Sequence, residues 1–435
     1  MSSHIAASHF DVLIVGAGPA GCSAALTLLN HTTLKVGVIE SSDLQRTAVG
    51  ESVSSSMLNL LEYLQLPKTL FQGATEANSS PCLIPTHGST AFWGSDNATG
   101  RDSIFSPDAS TYQLDRESFD LILLEQAMER GAEILPRSKI TDLQFSDSSH
   151  HNPHWQCQCQ HDTHGAFNLS AEFIIDASGR NSVLSTKAGA TRNSIDKLTG
   201  VGTFLTRNSA INWPSEQIIE STELGWWYAA ALPNNRVVVT FFSDADILSS
   251  HRLNRPAQWR QLLNESRHLS HILGVHVPHD VQLWVRKANS SITHTESVPQ
   301  FYAVGDAVCS FDPISSMGLG FAMTCASQAA VLISRALTQS KREPYLQALT
   351  HYKIQYQQDI QRNFDDYLSL REHFYQQEQR WFDSPFWQRR QTSPATPLSR
   401  QLSTQKNNAR TEADRAKHQV EQRKKQQPEN TTAIG

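Results

Sequence analysis

The period of apolar positions changes several times along this chain, and the first change comes early. Asp11 to Val15 is a short apolar run rich in β-branched residues. Gly16-Ala17-Gly18-Pro19-Ala20-Gly21 follows at once, then helical spacing from Cys22 to Leu29. Lys35 to Ile39 reads as a second strand and ends at Glu40. This order of strand, glycine turn, helix, strand and acid predicts one βαβ unit. Further on, Ser52 to Leu66 carries Met57, Leu60, Leu61 and Leu64 at helical spacing. Residues 73–110 are turn-rich around Trp93, and Asp115 to Arg130 predicts a helix burying Phe119, Ile122, Leu123 and Ala127. Trp155 to Cys159 and Phe167 to Ile175 predict a hairpin whose second strand runs into Asp176-Ala177-Ser178-Gly179-Arg180. From 200 to 290 the pattern is mostly strands: Gly200 to Leu205, Trp226 to Leu232, Val237 to Phe242 and Val281 to Lys287. Phe301 to Val304 is another buried strand, followed by Gly305-Asp306 and a helix over Gly318 to Leu337. Residues 343–380 alternate aromatic and polar positions at helical spacing.

At 435 residues the chain is long enough for two or three domains, or for one large two-part fold. Hydrophobic content of 39% supplies a core and excludes wholesale disorder. A net charge of −5 argues against nucleic-acid binding by bulk charge. No apolar run approaches the roughly 20 residues that span a bilayer, so no membrane helix is expected. Met1 to Phe10 has neither a basic nor an apolar leader region. Six cysteines do not make a disulfide scaffold at this length, so a cytoplasmic location is expected. The segment from Arg389 to Gly435 holds ten basic and four acidic residues, a net of +6 that leaves −11 on the body. It reads as a disordered tail, or as a solvated helix around Ala409 to Gln426.

The glycine motif has a mechanism. Gly16 permits the tight turn, Gly18 lets backbone approach a pyrophosphate, and Gly21 lets the helix pack close to the sheet. Glu40 is placed to accept ribose hydroxyls and disfavours a 2′-phosphate, which points to FAD or NAD rather than NADP. Downstream, Asp306 can hold a ribityl hydroxyl, and the glycine-rich helix start after Pro313 can aim N–H groups at the pyrimidine end of a flavin.

Together these pieces resemble the FAD-dependent aromatic hydroxylase and halogenase superfamily. The matching segments are Gly16 to Gly21, Glu40, Gly50-Glu51-Ser52, Leu114-Asp115-Arg116, Asp176 to Arg180, and Gly305-Asp306 through Gly320. The resemblance implies an α/β fold with a Rossmann-like FAD-binding domain of the para-hydroxybenzoate hydroxylase type. A β-sheet substrate domain and a C-terminal helical region would complete it. The expected boundaries are residues 9–80, 110–190 and 288–340 for the FAD domain, and 81–109 with 191–287 for the substrate domain. The helical region would be 341–388 and the tail 389–435. Contacts to FAD are then expected from Gly16, Gly18, Pro19, Ala20, Gly21, Glu40, Ser41, Glu51, Ser52, Arg116, Ile140, Asp306, Pro313, Gly318 and Leu319. By the same resemblance Arg116 lies near the phosphates, Ile140 touches adenine, and Gly318 and Leu319 donate backbone N–H groups to the ring.

Two halogenase features are missing. The tryptophan-rich element of tryptophan halogenases is replaced by Gly225-Trp226-Trp227-Tyr228, and no lysine occurs from Thr69 to Gly100, where a relay lysine belongs. Oxygen transfer is therefore favoured. Pro81-Cys82, His87-Gly88, Ala91 to Ser95, Gly225 to Tyr228, Asp312 to Gly318 and Arg380 to Trp387 look like the flavoproteins that mature tryptophylquinone-bearing glycine oxidase and lysine ε-oxidase. That likeness implies a monooxygenase acting on a tryptophan inside a partner oxidase precursor, with molecular oxygen as co-substrate and the electron donor left open. The alternatives are a flavin-dependent hydroxylase or halogenase of a free aromatic, and a flavin-bearing assembly factor without chemistry.

Candidates for a catalytic base are His87, Glu51 and Asp312. Trp93, Trp226, Trp227 and Tyr228 could line a substrate pocket by stacking, with packing of the sheet the competing reading; Trp93, Trp227, Ser315 and Ser316 are the pocket candidates taken forward. The histidines and cysteines from His150 to His164 lack zinc-ligand spacing, and no metal is expected. Trp155, Cys157 and Cys159 alternate as on a buried strand face. Cys309 reads as a small buried hydrophobe, and the aromatics from Phe364 to Trp387 as packing of a C-terminal helix on the body.

Overall fold

The computed structural model describes residues 8–44, 48–71, 81–86, 88–101, 111–147, 153–207, 214, 216–273, 277–337 and 342–391. Its first sheet has the strand order Glu133–Leu135, Val36–Ile39, Ser8–Val15, Gly165–Asp176, His154–His161, Ser138–Ser146. Ser8–Val15 sits inside it, parallel to both neighbours, which explains a strand apolar on both faces. Gly165–Asp176 shares one edge between two partners. Its first half pairs with His154–His161, and its end pairs in parallel with Phe301–Ala303 through Ile174↔Phe301 to Asp176↔Ala303. That pairing brings residues 15, 176 and 303 to one end of the sheet, although they lie far apart in sequence.

Helix Pro19–His31 packs against helix Gly318–Leu337 over this sheet. The latter is long and apolar enough, by length and composition, to cross a membrane, which corrects the expectation that no such run exists. Half of it is buried, and its apolar stripe of Met323, Ala326, Ala330 and Ile333 lies in the main core.

The second large sheet runs Trp284–Lys287, Leu198–Thr206, Arg236–Asp244, Gly225–Leu232, Gln217–Thr222, Ser89–Phe92, Thr99–Arg101. The region after residue 200 is less purely β than the pattern predicts. Three short helices, Ala245–Ser250, Pro256–Asn264 and Leu269–Leu273, cover one face of this sheet. Leu248, Trp259, Leu263 and Leu269 meet Val201, Trp227, Val239 and Phe241 there, and Trp259 Nε1 donates to the Val201 carbonyl at 3.0 Å. Each helix is too short to show a clear period, so burial against the sheet, not local pattern, makes them helical. Ser52 to Leu66 also divides into strand Ser52–Ser54 and helix Ser56–Tyr63.

The C-terminal helix Arg342–Gln376 packs on Gly318–Leu337, and Pro385–Gln391 follows it. Phe374, Tyr375, Phe386 and Trp387 are buried with Trp93 and Trp226. Arg390 and Asp244, both buried, pair at 2.6 Å and hold this arm on the second sheet. Most of the expected tail lies outside the described residues.

Candidate functional site

The glycine turn is shaped by its neighbours. Gly16 has φ +110°, and a Cβ on it would lie 2.4 Å from the Ala177 carbonyl oxygen. A Cβ on Gly21 would lie 1.9 Å from the Gly16 oxygen, so Gly21 serves the close approach of helix to turn. Glu40 is almost fully buried and locks the turn: one carboxylate oxygen accepts the Ala17 N–H at 2.9 Å, the other the Ser42 N–H at 2.8 Å. Asp176 is structural as well, accepting the Ser178 N–H at 3.0 Å and the Ser185 hydroxyl at 2.6 Å.

The Gly305-Asp306 turn faces this cradle. Gly305 has φ +59°, and a Cβ there would meet Ala20 at 2.9 Å. Two arginines frame the turn. Arg180 pairs with Asp306 at 3.3 Å and donates to the Asn289 and Phe311 carbonyls. Arg192 donates to the Ala307 and Asp306 carbonyls at 2.8 and 3.2 Å. Arg192 was invisible to the motif reading because it sits on a separate strand, with no local spacing to the turn.

Between these parts lies a cavity of about 810 Å³. Gly16, Gly18, Pro19, Ala20, Glu40, Ser41, Glu51, Ser52, Arg116, Ile140, Asp306, Pro313, Gly318 and Leu319 all line it, together with Ser316 and Asp312. The second sheet supplies the opposite wall through Gly200, Tyr228, Thr240, Phe242, Trp284 and Arg286. These residues follow the period of two on their strands, and Gly200 and Gly202 stand opposite Arg286 and Trp284. A Cβ at Gly202 would lie 2.5 Å from the Trp284 ring, so the glycine makes room for that indole.

Four atoms of the cavity residues are buried and lack a hydrogen-bond partner: Glu51 Oε1, Ser52 Oγ, Ser178 Oγ and Trp284 Nε1. Such atoms are costly in a dry protein and suit a polar ligand. Burial pushes the Glu51 carboxyl up to about 6, against the opposing pull of Arg116. Arg116 itself donates to the Val49 and Gly50 carbonyls at 2.6 and 3.1 Å and clamps Asp120 with two bonds of 2.9 Å. It therefore fixes the backbone that presents Glu51. Beside Glu51, Tyr228 approaches Gln113 Oε1 at 3.4 Å, and the Gln113 Nε2 is buried without a partner.

Asp312 is differently placed. It is fully buried and already accepts from the Ile314 N–H at 3.0 Å, Tyr375 OH at 2.8 Å and Arg371 Nε at 3.3 Å. Burial pushes its carboxyl up while Arg371 draws it down. These bonds hold the Pro313–Ser315 turn and leave Asp312 little capacity as a free base. His87 lies outside the described residues.

Trp93 and Trp227 do not line the cavity. Trp93 stacks on Phe374 at 4.2 Å and donates to its carbonyl at 3.1 Å. Trp227 faces the opposite side of the sheet, edge-on to Trp259 at 5.1 Å. Ser315 is buried and donates to the Asp312 carbonyl at 2.8 Å, away from the cavity wall. Trp155, Cys157 and Cys159 share one buried face, and burial pushes both thiols up to about 12. Cys309 is fully buried. Tyr228 does line the cavity, and Thr240, Phe242 and Trp284 are the wall residues that the motifs do not single out. Gly200-Val201-Gly202 was their available signal, since two glycines on one face of a strand invite a large neighbour.

Comparison with known proteins places these features in context. The tryptophan halogenase family model matches residues 11–80 and 93–425. LodB of Marinomonas mediterranea, described as an FAD-dependent oxidoreductase, is 39% identical over 382 residues, covering 88% of this chain and 96% of that protein. The tryptophan 2-halogenase of Chondromyces crocatus is 25% identical over 75% of this chain and 61% of its own length. Among solved structures, the flavin-dependent halogenase CmlS aligns with a TM-score of 0.73 at 22% identity, over 92% of this chain and 70% of its own. The peptidyl tryptophan dihydroxylase QhpG, essential for tryptophylquinone cofactor biogenesis, aligns with a TM-score of 0.65 at 21% identity, over 89% and 80%. The fold is thus the two-part α/β FAD-binding fold of the hydroxylase and halogenase type. FAD fits the residues present: the Gly16 and Gly305 positions leave no room for a Cβ, and Ser52 and Ser178, both in the cavity lining, carry buried hydroxyls without a partner.

Proposed function

The chain belongs to the tryptophan halogenase family of flavoproteins, and we propose that it is a monooxygenase that hydroxylates the indole of a tryptophan carried in a partner polypeptide. It is an FAD-dependent oxidoreductase with an aromatic substrate. The observation that carries oxygen transfer is the chemistry of the cavity wall opposite the glycine cradle: Tyr228, Phe242 and Trp284 line the same cavity as a buried carboxylate, Glu51. The sequence from Thr69 to Gly100 offers no lysine to relay a halogen. The likeness to QhpG and the motifs shared with maturation flavoproteins support a peptidyl tryptophan, in the precursor of a quinone-bearing amino-acid oxidase.

Bound FAD supplies, once reduced, the activation of molecular oxygen. The protein's own residues do the rest. Trp284, Phe242 and Tyr228 hold an aromatic ring by stacking and exclude water from it. The free Trp284 Nε1 offers a donor to a polar group on the guest. Glu51, mostly ionised at pH 7, takes the proton that the indole ring loses as oxygen is inserted. Arg116 fixes the Glu51 backbone, and the Asp312 network keeps the turn before Gly318 in place.

Mass spectrometry of an oxidase precursor, expressed with and without this chain, tests the proposal. One or two added oxygens on a tryptophan, only when this chain is present, are expected. An unchanged precursor with FAD and reductant supplied would sink the peptidyl reading.

A second reading has the larger group of relatives behind it: a hydroxylase or halogenase of a free aromatic, favoured by the family itself and by the tryptophan 2-halogenase likeness. Turnover of free tryptophan, indole or a phenol would establish it, and halide dependence would separate its two branches.

A further inference from the structure

The sheet that walls the cavity ends on one side in Trp284–Lys287. Among the described residues this strand pairs with one neighbour only, from Thr199↔Lys287 to Gly202↔Trp284. No other described strand pairs with its far edge. The strand is also the one that reaches the cavity mouth, since Trp284, Arg286 and Lys287 all line the cavity. Sheet edge and cavity rim are therefore one continuous surface.

Natural proteins blunt free edges, because unpaired N–H and C=O groups recruit other chains. Here the edge is cationic through Arg286 and Lys287, both exposed. Arg286 folds back to donate to the Val285 carbonyl at 3.1 Å. Yet Val285 is 46% exposed, and Val183, across the rim in the cavity lining, is 52% exposed. One exposed valine thus lies in the cationic strand itself, and a second lies in the lining of the aromatic-walled cavity. The rim cations extend to Lys187; of the acids in the lining, Glu40, Glu51 and Asp312 are buried and Asp306 is paired with Arg180.

We propose that Trp284–Lys287 is a docking edge for an extended, acidic segment of the partner polypeptide, which adds to the sheet as an eighth strand. The inference rests on the reading that the substrate tryptophan is peptidyl. Successive side chains of an added strand alternate between faces, so every second one falls on the face of Trp284 and Arg286. A tryptophan at such a position reaches the mouth beside Trp284. An aspartate or glutamate two residues from it meets Arg286, and one directly next to it falls on the face of Lys287. Backbone pairing supplies affinity that is independent of sequence, while the cavity and the rim charges select the residue that enters.

Hydrogen exchange on the FAD-loaded protein tests this. The probe is a synthetic peptide of about nine residues with a central tryptophan, an aspartate on each side and valines beyond. Saturating peptide is expected to slow the outward-facing amides among residues 284–287 by about tenfold or more. N-methylation of alternate peptide amides is expected to abolish the protection in one phase and spare it in the other. Raising salt from about 50 to about 500 mM is expected to weaken binding several-fold. A peptide that binds and gains oxygen without slowing residues 284–287, or that tolerates both methylation phases equally, overturns the docking edge and leaves the peptidyl reading standing. A peptide that neither binds nor gains oxygen, while free indole does, removes both. Protection of the same amides by raised protein concentration alone, with dimer in light scattering, would assign the edge to a second copy of this chain and also overturn the proposal.

Discussion

The Tyr375 hydroxyl donates to the Asp312 carboxylate at 2.8 Å, and so ties the C-terminal helix to the turn beside the cavity. Tyr375 in turn accepts the Trp226 Nε1–H at 3.1 Å. One phenol thus joins three distant segments: a strand of the second sheet, the long C-terminal helix and the turn that leads into Gly318. Cutting this link leaves a buried carboxylate short of one donor. Tyr375→Phe is expected to cost about 1–3 kcal/mol in denaturant unfolding. It should reduce FAD retention only modestly, because Arg371 and the Ile314 N–H still hold Asp312. Complete loss of FAD from a folded variant would contradict this.

Glu51 sets a pH dependence with a definite sign. Its carboxyl is raised from 4.5 to about 6 by burial, so the folded protein binds its proton more tightly than the unfolded chain. The protonated form favours folding, and that advantage is lost as pH rises through the window from 4.5 to about 6. Glu51→Gln is expected to gain about 2 kcal/mol relative to the parent across that window, read from paired denaturant melts at pH 4 and pH 7. In activity the parent's kcat/KM should rise with an apparent pKa near 6, and the substitution should flatten that limb.

Gly16 admits no side chain. Gly16→Ala places a Cβ 2.4 Å from the Ala177 oxygen at a positive φ. FAD affinity is expected to fall by about tenfold or more, equivalent to about 1.4 kcal/mol. The ratio of flavin to protein absorbance after gel filtration measures it.

Trp284→Ala removes a stacking wall without touching the glycine cradle. KM for an aromatic substrate is expected to rise about three- to tenfold, in line with the roughly 0.5–1.5 kcal/mol that aromatic pairs contribute. FAD occupancy should be unchanged, and the two readings together separate a substrate contact from a general loss of structure.

Arg390 and Asp244 pair at 2.6 Å in a buried setting, and the Arg390 guanidinium lies 3.7 Å from the Phe386 ring centroid. Arg390→Ala leaves Asp244 with Arg389 alone and is expected to cost about 3–5 kcal/mol. A smaller effect, near that of a surface pair, would show that the arm is held by its aromatics instead.

The sequence by itself determined the FAD cradle. Gly16, Gly18, Gly21 and Glu40 lie within one stretch of chain, so residue type and spacing carry the information, although the Ala177 carbonyl that crowds Gly16 comes from a distant strand end. The buried face of Trp155, Cys157 and Cys159 was legible for the same reason, because alternation is a local property of a strand. The expected helix over Gly318–Leu337 was equally clear from its apolar spacing. Tertiary structure alone decided which aromatics face the cavity. Trp226, Trp227 and Tyr228 are consecutive, so their parity divides them, but only the packing of the sheet against the first domain says which face looks inward. Trp227 went to the helices Ala245–Leu273, Trp226 to the C-terminal arm and Tyr228 to the cavity. Arg192 and Trp284 join the site from strands remote in sequence. Their roles come from pairing partners, and register between distant strands is set by the whole set of buried contacts rather than by any motif.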